Sequence, residues 1–303
     1  MTTSTIYNRA FQTAIRGKAD ASLERDLHEG YDVTTGSYML PQGFSGDYTA
    51  ALEKEDLFRR YGTVVRTTNG DGKIQTVLST ADAQITAENA AYPEDGDTFG
   101  TTVFSSYKIA ALAKLHDAFV SDMGFVIEEY LNNEFARRFG RAEENLFLNG
   151  TGSGEPAGLL RSAGTGVTAA SNAAISGDEI VSLYLSVKPE YRKNGVWLMN
   201  DETALLLRTL KDGSGAYLWR STDDTVFGKP VVCTPYMPSV GAGALPVTFG
   251  DLSYYWVLER KPLHVRILTE LFTVAGLTGF AAHERLDGKL IRAEAVKTLR
   301  MAE

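Results

Sequence analysis

The strongest constraint in this sequence is a helical period that stops abruptly. Ile127, Leu131, Phe135, Phe139, Ala142 and Leu146 recur at spacings of three or four, on one face of an α-helix of roughly six turns. Ser121 or Asp122 stands where an N-cap would begin it. A helix this long with one apolar face needs a broad surface to lie against, and the rest of the chain must supply it.

The period ends in Leu148-Asn149-Gly150-Thr151-Gly152-Ser153-Gly154-Glu155-Pro156-Ala157-Gly158. Glycines beside a helix invite a phosphate-binding reading. Their spacing, Gly152-x-Gly154-x-x-x-Gly158, is one residue too long for the dinucleotide fingerprint, and Pro156 sits inside it. The stretch also follows a helix, whereas a dinucleotide loop follows a strand and opens a helix. No Gly-Lys-Ser/Thr is present to form a phosphate loop. These residues instead predict a structural turn. Asn149-Gly150 ends the helix in left-handed geometry, and Gly152, Pro156 and Gly158 carry the chain into the next domain.

Upstream, residues 1–45 are polar and mixed in charge, and the glycines and proline of 36–46 predict an extended, turn-rich arm. A short helix is expected over 47–60. Two β-rich runs then flank Asn69-Gly70-Asp71-Gly72, a hairpin signal. After a small, polar stretch over 81–98, a long alternating strand is expected, with Val103, Tyr107, Ile109 and Ala111 on one face. Two long strands joined by a polar tip read as an interaction element. Beyond residue 175 helix and strand patterns alternate, as in an α/β or α+β layer, and the segments from 263 onward alternate again as strands.

Chemistry is sparse. The formal charge of -8, with both signs interspersed and no basic block, argues against gripping nucleic acid through many phosphates. Cys233 is the sole cysteine and reads as a buried structural residue, with neither a helix start nor a histidine beside it to form a thiolate. His28, His116, His264 and His283 lack the spacing of a metal site and read as structural. No Gly-x-Ser-x-Gly elbow is present, so neither catalytic, cofactor-binding nor metal-ligating residues are expected. No run approaches the ~20 apolar residues of a membrane helix, and Met1-Thr2-Thr3-Ser4 begins no export signal. The chain reads as soluble and cytoplasmic, which leaves the sequon Asn149-Gly150-Thr151 unused.

Residues 116–160 resemble the major capsid proteins of tailed double-stranded DNA bacteriophages with the HK97-type fold. The likeness runs on in family order through Arg9-Ala10-Phe11, Gly36-Ser37-Tyr38-Met39-Leu40-Pro41, the 196–219 and 249–260 segments, and His283-Glu284-Arg285-Leu286-Asp287-Gly288. It implies an α+β fold in which residues 1–62 form an N-arm and short helix and 63–110 an E-loop hairpin with flanking strands. Residues 111–150 would be a peripheral domain with its spine helix, 151–262 an axial domain, and 263–303 return strands shared by both.

The resemblance further implies a non-enzymatic protein that assembles through pentamers and hexamers into an icosahedral shell, built in the host cytoplasm. The shell would enclose DNA without sequence-specific binding and without a membrane. Phe11, Arg16, Tyr92, Pro93, Glu94 and Phe99 are the expected assembly contacts. A scaffolding protein, a portal and a decoration protein are the expected partners, and no cofactor is. An encapsulin or gene transfer agent shell is the alternative, and an α/β nucleotide-binding enzyme a distant one.

Two departures stand out. The family's best-known member cross-links an E-loop lysine to a late asparagine, but Tyr92 precedes Pro93-Glu94 here and no asparagine follows Asn200. The shell is therefore expected to hold noncovalently. No helical scaffolding segment precedes Ile6, so either a separate scaffold serves or such a segment has been removed.

Overall fold

The computed structural model describes residues 7, 10, 13, 31–32, 37–39, 42–67, 72–79, 98–121, 127–211, 215–217, 219, 224–268 and 270–303. Strands β1 (Tyr31–Asp32) and β2 (Ser37–Met39) lead into helices α1 (Gln42–Glu55) and α2 (Leu57–Tyr61), then β3 (Thr63–Arg66), β4 (Gly72–Ser79), β5 (Thr98–Phe104) and β6 (Tyr107–His116). Helices α3 (Asp117–Ser121), α4 (Ile127–Asn149) and α5 (Leu159–Ser162) follow, then β7 (Gly164–Thr168), α6 (Gly177–Ser186), α7 (Pro189–Arg192), β8 (Val196–Met199) and α8 (Asp201–Arg208). Strands β9 (Thr225–Val226), β10 (Lys229–Cys233), β11 (Val247–Gly250), β12 (Tyr255–Leu268), β13 (Leu277–Leu290) and β14 (Val296–Arg300) complete the order.

The chain divides into two compact units, each assembled from three stretches. The first takes Met1–Thr68, Ser106–Ala157 and Val257–Asp287, and the second takes Asn69–Ser105, Gly158–Trp256 and Gly288–Glu303.

In the first unit, the sheet runs β1-β2-β12-β13-β6, with β3 also on β12. Its longest ladder is antiparallel, from Leu277 opposite His116 to Leu286 opposite Tyr107. The period-two pattern of β6 turns Tyr107, Ile109, Ala111, Ala113 and Leu115 inward. Against them lies α4, whose Ile127, Leu131, Phe135 and Phe139 are buried with Tyr48 and Leu52 of α1, Val265 of β12 and Phe280 of β13. Ala10 is buried in the same core, so the polar N-terminal region lends at least one side chain to this unit. Burying one Phe or Leu contributes about 1.5–3 kcal/mol, and this stripe is the main source of stability for α4.

The final turns of α4 depart from the sequence pattern. Ala142 and Leu146 are only half-buried, and Glu143, Phe147 and Leu148 take the inner face. Arg59 explains the rotation. Its Nε and Nη2 donate to the two oxygens of Glu143 at 2.6 and 2.8 Å, and its Nη1 donates to Glu259 at 3.2 Å. Glu284 lies 3.9 Å from Nη2. Phe58 packs edge-on to Phe147 beside this cluster.

Four other expectations change here. The helix expected over 47–60 starts earlier, at Gln42, and is broken at Asp56, whose Oδ1 accepts from Phe58 N at 2.9 Å and caps α2. The apparent β3–β4 hairpin does not form, since β3 pairs with β12 and β4 with β5, in different sheets. The long strand over 99–115 is two strands, separated at Ser105-Ser106, so Val103 leaves the predicted face and is 53% exposed. Each of these partners lies far along the chain, beyond what local pattern reports. Ser121 ends α3 instead of capping α4, and Asp122 lies outside the described residues.

The second unit has a mixed sheet ordered β7-β14-β11-β8-β10-β9 and a separate β4–β5 ladder. Its inner strands read as continuous apolar runs because both faces are covered: all four residues of β8 and of β11 are buried. Trp197 and Phe249 meet at 4.3 Å between ring centroids, with Tyr184 of α6 at 5.2 Å from Phe249. Ser176 and Glu179 form a reciprocal capping box at the start of α6. Asn200 caps α8, accepting from Thr203 N at 2.7 Å.

Candidate assembly surfaces and the junction after the long helix

Of the long strands expected to flank a polar tip, β4 and β5 form a ladder of their own. They pair antiparallel from Gly72 opposite Phe104 to Ser79 opposite Thr98, with a register irregularity near Val77. Lys289 anchors the base, donating from Nζ to the Val103 carbonyl at 2.5 Å and lying over the Phe104 ring. Phe99 sits in β5 opposite Val77. Phe11, Arg16, Tyr92, Pro93 and Glu94 fall outside the described residues.

The junction at 149–158 is compact and self-satisfied. Gly150 N donates to Leu146 O at 2.8 Å, closing α4, and Thr151 bridges Ala157 antiparallel. Gly152 N donates to Pro156 O at 3.1 Å, and Thr151 N donates to Glu155 Oε1 at 2.8 Å. Gly152 and Gly154, each at φ 77°, supply the left-handed geometry. Gly150 does not, contrary to the expectation for Asn149-Gly150. A Cβ there would lie 2.3 Å from Pro156 O, so Gly150 is required by close approach instead. Gly158, at the start of the second unit, is the N-cap of α5. The Glu155 carboxylate on a loop amide also disfavours a bound phosphate by like-charge repulsion.

Reactive groups do not converge. Cys233 is exposed, not buried, because it ends β10 on an outward-facing position. Partial desolvation of its sulfur, and then the nearby Asp201, hold the thiol above its usual range, so it is a poor thiolate. His264 and His283 are buried and stack at 5.6 Å between ring centroids, while His116 is exposed and His28 lies outside the described residues. Among the described residues no group of His, Cys, Asp and Glu could hold a metal ion, and no helix is long and apolar enough to cross a membrane.

Exposed apolar side chains are what the molecule offers instead. In the second unit, Ile180, Val181, Leu207, Trp219, Val226 and Phe227 line a cavity of about 360 Å³. Phe227 and Gly228, at φ 50° and 70°, form the two-residue loop between β9 and β10, an unusual geometry for Phe. Leu205 and Leu206 of α8 are exposed while Leu207 is buried. In the first unit, Leu271 and Val274 are exposed at the tip between β12 and β13. None was picked out from sequence, although three consecutive leucines at 100° per residue cannot share one buried face. Such surfaces suit contact with other protein.

The sequence matches the phage capsid family over residues 36–301. It is 25% identical over 213 residues to the major capsid protein of Enterobacteria phage HK97, covering 66% of this chain and 54% of that protein. The chain thus spans about half the length of the curated relative it matches. The capsid chain of a native GTA particle superposes with a TM-score of 0.69 at 26% identity, covering 84% of this chain and 91% of that one. A chain from Microbacterium phage Oxtober96 shares the fold at a TM-score of 0.61 and 17% identity, over 81% of this chain and 91% of its own. With its long helix closed by a glycine-rich junction and its paired β4–β5 ladder, this chain belongs to the phage capsid family, with the HK97-type α+β capsid fold that its motifs resemble.

Proposed function

We propose that this chain is a major capsid protein that assembles through pentamers and hexamers into an icosahedral shell enclosing double-stranded DNA. The observation that carries the reading is the family match over 36–301, together with a capsid-subunit fold covering 91% of a GTA capsid chain. Residues 1–62 serve as N-arm and short helix, 63–110 as E-loop, 111–150 as peripheral domain and spine, 151–262 as axial domain, and 263–303 as shared return strands. Phe11, Arg16, Tyr92, Pro93, Glu94 and Phe99 contact neighbouring subunits. The ladder of β4 and β5 supports the E-loop assignment. Assembly takes place in the host cytoplasm with a scaffolding protein, and a portal and decoration protein join the shell.

The shell holds by buried contacts and by arm and loop wrapping, since Tyr92 stands at the cross-linking lysine position and no asparagine follows Asn200. Closed symmetry then satisfies each interface. Negative-stain electron microscopy with light scattering tests the assignment. Uniform shells, or free pentamers and hexamers, are expected, and a monomer that stays a monomer even with its scaffold would overturn it. Boiled in denaturant, shells should return chains of 33.0 kDa; a ladder of multimers would refute noncovalent assembly. Deleting 82–96 should leave a folded chain and weaker shells. The GTA capsid chains, at 26% identity, favour a second reading as a gene transfer agent shell, distinguished by whether the enclosed DNA is viral or cellular.

A further inference from the structure

The Arg59 cluster contains more acid than base. Asp56 at the cap of α2, Glu143 of α4, Glu259 of β12 and Glu284 of β13 are all buried, and all act on one another or on Arg59. The cations are Arg59 and, at the rim, Arg66 of β3, 3.4 Å from Glu259. Four carboxyls against two guanidiniums leave an excess of two negative charges. Buried charge without a partner costs several kcal/mol per ion, so the excess must be removed by protons.

Hydrogen bonding says where those protons are. Arg59 engages both oxygens of Glu143. A protonated carboxyl can donate, whereas an ionised one only accepts. Asp56 Oδ2 and Glu284 Oε1 are buried and meet no donor, as expected of oxygens that carry hydrogen themselves. The other Asp56 oxygen caps α2, and the other Glu284 oxygen faces Tyr48 Oη at 3.4 Å and Arg59.

We propose that Asp56 and Glu284 each hold a proton at neutral pH, making the cluster a proton-binding clasp between the long helix and the sheet of the first unit. Electrostatics agree. Burial, then the Glu143 charge, raises both Asp56 and Glu284 well above the ordinary carboxylate range. Burial opposes ionisation of Glu143 too, but the charge and hydrogen bonds of Arg59, with those from Glu284 and Asp56, hold it below that range. The folded unit then carries protons that the unfolded chain releases once pH passes the ordinary carboxylate values. Stability contributed by Asp56 and Glu284 is full below those values and is lost as pH rises through their raised folded values. The contribution of Glu143 has the opposite sign and is lost as pH falls.

The test uses the full chain and the substitutions Asp56→Asn and Glu284→Gln, which keep a donor without needing a proton. Thermal unfolding is followed from about pH 4, the ordinary carboxylate range, to about pH 9. Each variant should match the parent near the low end of this range and lose less Tm above it, and the double variant least. A variant whose Tm falls below the parent's at the low end and keeps the parental slope would show both carboxylates ionised and overturn the proposal. Should a variant fail to fold, the parent decides alone: infrared spectra at neutral pH should contain the carbonyl stretch of buried carboxylic acids, and its absence refutes the clasp.

Discussion

The two units solve the problem of a buried centre with opposite materials. The second closes around Trp197, Phe249 and Tyr184, with β8 and β11 buried throughout, and dispersion and desolvation do the work there. The first has a comparable aromatic stripe on α4, but beside it places Arg59 among Glu143, Glu259, Glu284 and Asp56. Apolar packing tolerates changes in solution conditions. A buried ionic network holds only while its charges balance.

The difference can be broken most severely at Arg59. Arg59→Leu should cost about 3–5 kcal/mol, because it strands several carboxyls without a counter-charge. Denaturant melts should show that loss shrinking as pH falls toward the carboxylate range, where Glu143 and Glu259 can also take up protons. Phe249→Ala should cost a similar ~3–5 kcal/mol through the cavity left against Trp197, with a loss that stays flat in pH. A pH-dependent loss for Phe249→Ala would collapse the contrast between the units.

Gly150→Ala sharpens the contrast at the junction. Its methyl group would meet Pro156 O at 2.3 Å and Leu146 O at 2.5 Å, so about 1–3 kcal/mol should be lost by overpacking alone. Protease sensitivity should rise locally near 150–157. The smallest effect belongs to Ser176→Ala, which removes one capping bond from α6 and should cost ~1 kcal/mol independently of pH.

Much of the architecture could be read from local pattern. The spacing of Ile127, Leu131, Phe135 and Phe139 located α4 and its buried face, and the alternating segments from 263 onward became the later half of β12 with β13 and β14. The helix and strand patterns that alternate beyond residue 175 became α6, β8, α8 and β10. What stayed hidden depends on residues far apart in the chain. Arg59 meets Glu143 across 84 positions and Glu259 across 200, and no spacing rule connects them. The assignment of β3 and β4 to different sheets is likewise a matter of distant partners, β12 and β5. At the junction the turn itself was legible from its glycines and Pro156. The role of Glu155 was not, because a carboxylate in a loop reads as solvated until its amide partner is known.

The interleaving of the two units has a consequence for how the chain comes off the ribosome. The sheet of the first unit lacks β12 and β13 until residue 287 has been made, and β14, which sits between β7 and β11, arrives only with 296–300. The early strands therefore wait for late ones, a slow route dominated by non-local contacts in which each unit is completed only by its last-made stretch.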